Sequence, residues 1–171
     1  MTEQDALPRA LQFLWQNGRL LERRLFAHSF DGAPREGALA ALAAYQNADG
    51  GFGEALEPDV RAPVSQPAAI DFAFRILDLL DAFADPMVAR ACDELVRITT
   101  GEGGIPVVLP SARDYPHAPW WEPEDTPAAS LNPTAALAGL LHKHHVEHTW
   151  LAPATDYCWQ AISATETTEF H

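Results

Sequence analysis

Two carboxylates stand close together in a short, stiff segment of the first half of the chain. Glu57 and Asp59 flank Pro58, whose ring fixes one backbone angle between them. Carboxylates at this spacing can act as a general acid and a general base, or they can bind a cation. A structural interpretation stays open beside the chemical one, in which they cap the helix that follows or pair with Arg61. The segment therefore supplies candidate ligand-binding residues, Glu57 and Asp59.

Tryptophans and acidic residues also share a proline-rich connection, residues 106–133, which holds half of the 14 prolines. Trp120 and Trp121 are followed closely by Glu122, Glu124 and Asp125. Aromatic rings beside paired carboxylates are typical of a carbohydrate site with catalytic acids. The alternative is a solvated loop with buried tryptophans. Prolines make the connection stiff, so we expect it to pack against the rest of the protein and to cover the mouth of a cavity.

A run of histidines lies between residues 142 and 148. His144 and His148 have the four-residue spacing with which one helix face can hold a metal. We expect the helix to end near His145, and no Glu stands where metalloproteases need one, so we predict no metal site. Histidines at the end of a helix favour its dipole instead. We predict no cofactor either, because Gly50–Gly53 follows a helix and lacks the Lys-Ser/Thr ending of a phosphate loop.

A glycine-rich turn is the element best suited to position these groups. Residues 46–53 read Gln-Asn-Ala-Asp-Gly-Gly-Phe-Gly and follow a predicted helix. Gln46 can bond the free carbonyls at that helix end, and glycine adopts positive φ without steric cost. Phe52 can fold back onto the helix. We therefore predict structural roles for Gly50, Gly51 and Phe52.

The spacing of Gln46, Gly50 and Phe52 resembles the Gln-x-x-x-Gly-x-Trp repeat of the terpenoid cyclase and protein prenyltransferase superfamily, with Phe in place of Trp. The resemblance covers roughly residues 39–141 and implies an α/α toroid, two concentric rings of helices around a central cavity. It transfers no catalytic residue. The chain lacks the Asp-x-Asp-Asp and Asp-Asp-x-x-Asp motifs, and Cys92 lacks the partners of a prenyltransferase zinc site.

Apolar periodicity predicts an all-α protein of six helices. Their predicted ranges are 6–28, with a kink at Gly18, and then 34–45, 67–82, 86–98, 133–145 and 151–164. No segment shows sustained strand alternation, although residues 107–109 can form one short extended piece between prolines.

The pattern repeats inside the chain. Gly50-Gly51-Phe52 recurs as Gly103-Gly104-Ile105, 53 positions later (103 − 50), with Thr99 where the repeat would place Gln. Pro67 and Pro133 each open an apolar helix. We therefore expect α-hairpin repeats forming about half of an α/α toroid, with the loops at the inner-helix starts converging on one mouth. The predicted ligand-binding residues there are Glu57, Asp59, Gln66, Trp120, Trp121 and Asn132.

The composition of the chain argues against some classes of binding partner. The net charge of −13 argues against nucleic acid and anionic membranes. No apolar run reaches the about 18 residues of a membrane span, and the N-terminus does not resemble a secretory signal. Cys92 and Cys158 are expected to be reduced core residues. We expect a cytoplasmic protein.

Three functions fit these observations. The leading hypothesis is a small-molecule-binding α/α-toroid module, for which the resemblance implies an isoprenoid-related ligand. The alternatives are a carbohydrate-active α/α barrel that uses the Trp and carboxylate loop, and a non-catalytic repeat scaffold for a protein partner.

We expect a single domain over residues 1–171 that is incomplete at its C-terminus, since residues 166–171 read like the start of another helix. Half a ring would leave Leu14, Leu21, Leu25 and Trp159 exposed, so we expect self-association or a need for further C-terminal repeats.

Overall fold

The computed structural model describes residues 3–164, and this part of the chain is helical without a strand, which confirms the all-α prediction. The helices are α1 Glu3–Asn17, α2 Leu20–Asp31, α3 Glu36–Ala43, α4 Pro67–Leu79, α5 Pro86–Ile98, α6 Leu131–Lys143 and α7 Leu151–Ala164. None of them, as described, is long and apolar enough to cross a membrane. The expected helix start at residues 166–171 lies outside the described residues.

The described residues cluster into two compact units, which meet in sequence between Ala44 and Tyr45. The first contains α1, α2 and α3. The prediction of one kinked helix over residues 6–28 is wrong, because the chain breaks completely at Gly18. The Gly18 amide donates to Leu14 O at 2.8 Å, and the Asn17 side chain donates to Phe13 O at 2.8 Å, which closes α1. Arg19 is then extended, with φ −67° and ψ 169°, and α2 starts afresh.

The other helices begin and end close to their predicted positions. α5 and α7 have the predicted bounds, whereas α3 and α4 are shorter than predicted. α6 starts at Leu131, but Asn132 is non-helical, with φ −100° and ψ 116°, so regular helix begins at Pro133 as predicted. Side-chain caps explain two of these starts. The Met87 amide donates to Asp85 Oδ1 at 2.9 Å, and the Asn132 amide donates to Ser130 Oγ at 3.2 Å.

The expectation of exposed apolar helix faces is met only in part. Leu21 is fully buried, which contradicts its predicted exposure, and Leu14 and Leu25 are half-buried. Trp159 is exposed over 65% of its surface. Self-association stays a prediction.

Cys92 and Cys158 are free and buried, as predicted. Burial raises the pKa of the Cys92 thiol to about 12, so that thiol is unreactive at neutral pH.

In the second unit, α4 and α6 pack side by side, and each also packs against the helix that follows it in sequence. The chain therefore forms two α-hairpins, α4–α5 and α6–α7. Helices α4 and α6 both contribute fully buried apolar side chains, among them Phe74, Leu77, Leu137 and Leu141. Burial of such side chains supplies most of the driving force for folding.

The two glycine turns have the same backbone structure. In the first, the Asn47 amide donates to Gly51 O at 2.9 Å and the Gly50 amide donates to Asn47 O at 3.0 Å. In the second, 53 positions later (103 − 50), Thr100 and Gly103 donate in the same way at 2.9 and 3.0 Å. Gly50 and Gly103 both have a φ of 93°. The internal repeat predicted from the sequence is thus present in the structure.

Each turn also packs against the second helix of the hairpin that follows it. A Cβ atom on Gly50 would lie 2.3 Å from Arg90 O of α5, and one on Gly103 would lie 3.1 Å from Pro153 O of α7. The side chains before the glycines make matching links. Gln46 Nε2 donates to Met87 O at 2.9 Å, whereas Thr99 Oγ1 accepts from Trp150 Nε1 at 2.9 Å. Thr99 therefore performs at the second turn the linking role that Gln46 has at the first.

We predict a graded response to alanine at three glycines. Gly50→Ala should lower the free energy of unfolding by at least about 2 kcal/mol, because Ala disfavours the backbone angle and its Cβ meets backbone. Gly103→Ala should cost about 1–2 kcal/mol, since its neighbour is farther away. Gly101→Ala is the matched control: nothing lies within 4 Å of its Cβ position. Urea unfolding measures all three, and equal stability of the Gly50 and Gly101 variants would contradict the role of the turn.

Candidate functional site

Two long loops of the second unit are bonded to each other near the starts of α4 and α6. Residues 53–66 form the first loop and residues 106–130 the second. The Arg61 amide donates to Pro116 O at 2.9 Å, and the Ala118 amide donates to Asp59 O at 2.9 Å. An isolated β-bridge joins Val60 and His117 between these bonds. The second loop is therefore held across the first, as the proline content predicted for a stiff, packed segment.

An apolar cluster beneath this junction determines where Trp121 lies. Its buried members come from both loops and are Val60, Ala62, Val108 and Ala112, and the half-buried Trp121 ring packs against them. A short 3-10 helix, Pro119–Trp121, presents the ring, and the proline at its first position suits that turn. Neighbouring tryptophans thus receive different environments, since Trp120 is exposed over 70% of its surface.

Gln66 fastens the second loop to the start of α4. Its Nε2 donates to Ser111 Oγ at 2.9 Å, and its Oε1 accepts from the Leu109 amide at 3.0 Å. Its own backbone amide donates to Phe52 O at 2.9 Å, next to the first glycine turn. Gln66 is only 2% exposed. The side-chain amide of Gln66 therefore holds the second loop in place, and that Gln66 contacts a ligand stays a prediction.

The loops and both helix starts enclose a cavity of about 230 Å³, which we call the mouth cavity. Its lining residues are Glu57, Ala68, Asp71, Arg75, Trp121, Asn132 and Pro133. Three of the six predicted ligand-binding residues, Glu57, Trp121 and Asn132, line it. Asp59 is exposed on the first loop, with its amide donating to Glu57 Oε1 at 3.3 Å. That any of these residues contacts a ligand stays a prediction.

Asp71 and Arg75 are lining residues that the analysis of the sequence did not place in the site. They stand one turn apart on α4, and Arg75 Nε donates to Asp71 Oδ2 at 2.8 Å. The available signal was a pair of charged residues on one face of an otherwise apolar helix. Periodicity identifies such a face, but only the position of the loops shows that it borders a cavity.

Two polar atoms of this lining lack partners. Asp71 Oδ1 and Trp121 Nε1 are shielded from water, and neither has a hydrogen-bond partner among the described residues. Leaving a buried donor or acceptor unsatisfied costs about 1–3 kcal/mol. Such atoms are uncommon in folded proteins, and strain, a functional role or an ordered water or ion accounts for them. Both atoms belong to residues that line the mouth cavity.

Trp120 borders a second cavity, the Trp120 cavity, of about 300 Å³. Glu122, Glu124 and Ser130 are among its lining residues. His117 holds Glu122 from the protein side, with Nε2 at 3.2 Å from Glu122 Oε2. The Tyr115 carbonyl and then Glu122 raise the pKa of His117, so the charged imidazolium that pairs with Glu122 persists to a higher pH than in a free histidine. The structure thus places two of the three carboxylates beside an exposed tryptophan ring.

Three histidines of the run, His142, His144 and His148, make contacts within the protein. His144 Nε2 and Lys143 Nζ both lie 2.6 Å from Asp78 Oδ1, and the His144 ring stacks on Phe83 with a centroid distance of 4.1 Å. His148 Nε2 lies 3.2 Å from Asp93 Oδ1. Within residues 3–164, no group of three His, Cys, Asp or Glu side chains is arranged to hold a metal ion.

Asp78 gives this cluster a pH dependence with a definite sign. Hydrogen bonds from Lys143 and then His144 lower the pKa of its carboxyl group. The folded protein therefore binds this proton less readily than the unfolded chain, so the contribution to stability is present above the ordinary pKa of about 3.9 and is lost as the pH falls through the lowered value. Asp78 joins the end of α4 to the end of α6.

We predict that Asp78→Asn destabilises the protein at neutral pH by at most about 1 kcal/mol, because Lys143 is largely exposed and solvent screens the pair. The difference from the unmodified protein should shrink as the pH falls below about 4. Asp156→Asn, at an exposed position of α7, is the control and should leave the pH profile unchanged. Chemical unfolding at pH 7, 4 and 3 tests this, and a difference that grows on acidification would contradict the assignment.

Comparison of the chain with protein-family models, with curated proteins and with solved structures gives no match in any of the three. The resemblance to the terpenoid cyclases and prenyltransferases therefore rests on the spacing of Gln46, Gly50 and Phe52 and on the internal repeat.

Proposed function

We propose that this protein is a binding module for a small polar molecule, which occupies the mouth cavity. One observation carries the proposal: two residues that line the same cavity, Asp71 and Trp121, hold an unmatched acceptor, Oδ1, and an unmatched donor, Nε1. They come from an inner helix and a covering loop, which distant contacts bring together. A cavity with a few convergent polar groups is the usual form of a small-molecule site.

The volume limits the size of the ligand. Sites for drug-sized molecules measure roughly 300–1,000 Å³, and the mouth cavity has about 230 Å³. This size favours a compact molecule over the long isoprenoid chain that the family resemblance implies. The lining also favours polarity, since Glu57, Asp71 and Arg75 carry charge and Asn132 adds an amide.

Within the superfamily resemblance, the mouth cavity lies where the inner-helix starts of an α/α toroid would converge. The packing of α4 beside α6 and the two repeated glycine turns support that architecture. We therefore retain the toroid module as the proposed setting of the site, with the cytoplasm as its proposed location.

We expect two conservative substitutions to weaken ligand binding without unfolding the protein. Trp121→Phe keeps an aromatic ring and removes the unmatched N–H, and Asp71→Asn replaces one acceptor oxygen by a donor. The probes are a library of small polar fragments with neutral, cationic and anionic members, followed by ligand-observed NMR. Each variant should weaken the best fragments about 5- to 10-fold, the equivalent of one lost hydrogen bond of about 1–1.4 kcal/mol.

Gln160→Ala provides the control, since this exposed side chain of α7 is not among the lining residues of the mouth cavity. It should leave every fragment affinity unchanged. Fragments that bind all four proteins equally well, or a library without a single binder, would overturn the proposed function.

A second candidate function is carbohydrate hydrolysis in the Trp120 cavity. The specific observation is an exposed tryptophan ring beside Glu122 and Glu124. One carboxylic acid would protonate the leaving glycosidic oxygen, while the other carboxylate takes a proton from the attacking water. A panel of aryl glycosides tests this. Hydrolysis that is lost in both Glu122→Gln and Glu124→Gln would establish it, whereas a panel without turnover would exclude it.

A further inference from the structure

We propose that the Trp120 cavity binds a small alkylated ammonium ion, which lies against the Trp120 ring and beside the carboxylates of Glu122 and Glu124. This site is separate from the mouth cavity, and it does not depend on the function proposed there. Three features carry the proposal: the sign of the charges around the cavity, the support of an exposed indole ring, and the apolar remainder of the lining.

The charged side chains that line the Trp120 cavity are acidic. Glu122 and Glu124 are both exposed, so a ligand can reach their carboxylates from solvent. Among the described residues of the lining, no Lys, Arg or His accompanies them. A cation is therefore attracted to this cavity, and an anion is repelled. The net charge of −13 reinforces both effects at longer range.

Two basic side chains bonded to this part of the second loop do not line the cavity. Arg113 pairs with Asp125 at 2.8 Å and also donates to Pro123 O at 2.9 Å. His117 Nε2 lies 3.2 Å from one oxygen of Glu122, and the Glu122 side chain is still exposed over 74% of its surface. A protonated His117 offsets part of the charge of Glu122. We therefore assign the larger share of the attraction to Glu124.

The Trp120 ring is exposed although the backbone around it is well held. The Ala118 amide donates to Asp59 O and the Trp121 amide donates to Ala118 O, both at 2.9 Å. Trp121 then packs against the apolar cluster of the two loops. Trp120 nevertheless leaves 70% of its surface exposed beside the cavity that it lines. The face of such a ring attracts a cation, and tryptophan is the aromatic side chain best suited to this contact.

The rest of the lining is mostly apolar and suits alkyl groups on the cation. Val107, Val108, Pro127, Ala128 and Ala129 contribute aliphatic surface. A methylated ammonium presents its C–H groups to these side chains and to the indole, while the carboxylates balance its charge. A bare metal ion would gain nothing from the apolar surface. The volume of about 300 Å³ lies at the lower limit of sites for drug-sized molecules and suits a compact ligand.

The test uses the full chain and three probes of similar shape and different charge: choline, 3,3-dimethylbutan-1-ol and 3,3-dimethylbutanoate. Titration calorimetry and saturation-transfer NMR at neutral pH and low salt give the affinities. We expect choline to bind about 10-fold more tightly than the neutral alcohol, and the carboxylate not to bind. Raising NaCl from about 20 mM to about 500 mM should reduce the advantage of choline, because exposed charges are screened.

Matched substitutions separate the ring from the carboxylates. Trp120→Leu keeps an apolar side chain, removes the aromatic face and should weaken choline about 2- to 5-fold. Trp159→Leu, at a position 65% exposed on α7, should leave the affinity unchanged. Glu124→Gln should also weaken choline about 2- to 5-fold. Glu147→Gln removes the same charge at an exposed position outside the lining and should have no such effect.

The unmodified protein alone can refute the proposal. Equal affinities for choline and the alcohol, or no binding of choline at tens of millimolar concentration, would overturn it. Equal weakening in Glu124→Gln and Glu147→Gln would reveal a general effect of net charge and would overturn it as well. If Trp121→Phe weakens choline and Trp120→Leu does not, the cation occupies the mouth cavity, so this proposal fails while the proposed function stands.

Discussion

The close approach of two glycine turns to the backbone of the following hairpin is the constraint on which the second unit depends. A Cβ atom at Gly50 would meet the Arg90 carbonyl at 2.3 Å, and the same φ of 93° recurs at Gly103. Only glycine adopts this backbone geometry at so short a distance. Because each turn packs against α5 or α7, the start of the loop that follows it is held in one position. The repeated elements are therefore joined through close backbone contacts as well as through the side chains of Gln46 and Thr99.

The site follows from that fixed origin through a short series of contacts. Phe52 is buried directly after the first turn, and its carbonyl accepts from the Gln66 amide at 2.9 Å. Gln66 in turn binds the second loop through Ser111 and Leu109. The second loop then packs Trp121 over the start of α4. The glycine turn and the hydrogen-bonded Gln66 side chain thus support the mouth cavity. Two of its lining residues, Asp71 and Trp121, each have one polar atom without a partner.

The residues that support the mouth cavity differ from two of its lining residues in how completely they are hydrogen-bonded. Gln66, Asn47 and Ser65 all have protein partners, including the 3.0 Å bond from Asn47 Nδ2 to Ser65 Oγ. Asp71 Oδ1 and Trp121 Nε1 do not, which costs stability, and Glu22 Oε2, outside the cavity, is unmatched as well. Natural proteins commonly depart from complete hydrogen bonding where they bind other molecules. The mouth cavity is therefore a stronger candidate for a binding site than the histidine run, because His142, His144 and His148 bond to acidic or hydroxyl side chains.

Local sequence determined the helices, the two glycine turns and the repeat, because periodicity, proline and glycine act over a few residues. It also indicated Glu57, Trp121 and Asn132, since each stands in a loop or helix start that the repeat places at one end of the inner helices. The effect of Gly18 could not be predicted from the sequence, because a glycine that kinks a helix and a glycine that ends one occur in the same residue pattern. Only the tertiary structure decided that the Gln66 side chain is hydrogen-bonded to the second loop. The same holds for the different cavities that Trp120 and Trp121 line, and for the position of Asp71 and Arg75 beside one of them. Those outcomes depend on contacts between residues 43 to 45 positions apart, such as Gln66 with Leu109 and Ser111, and no local pattern in the chain encodes which distant loop will cover a charged helix face.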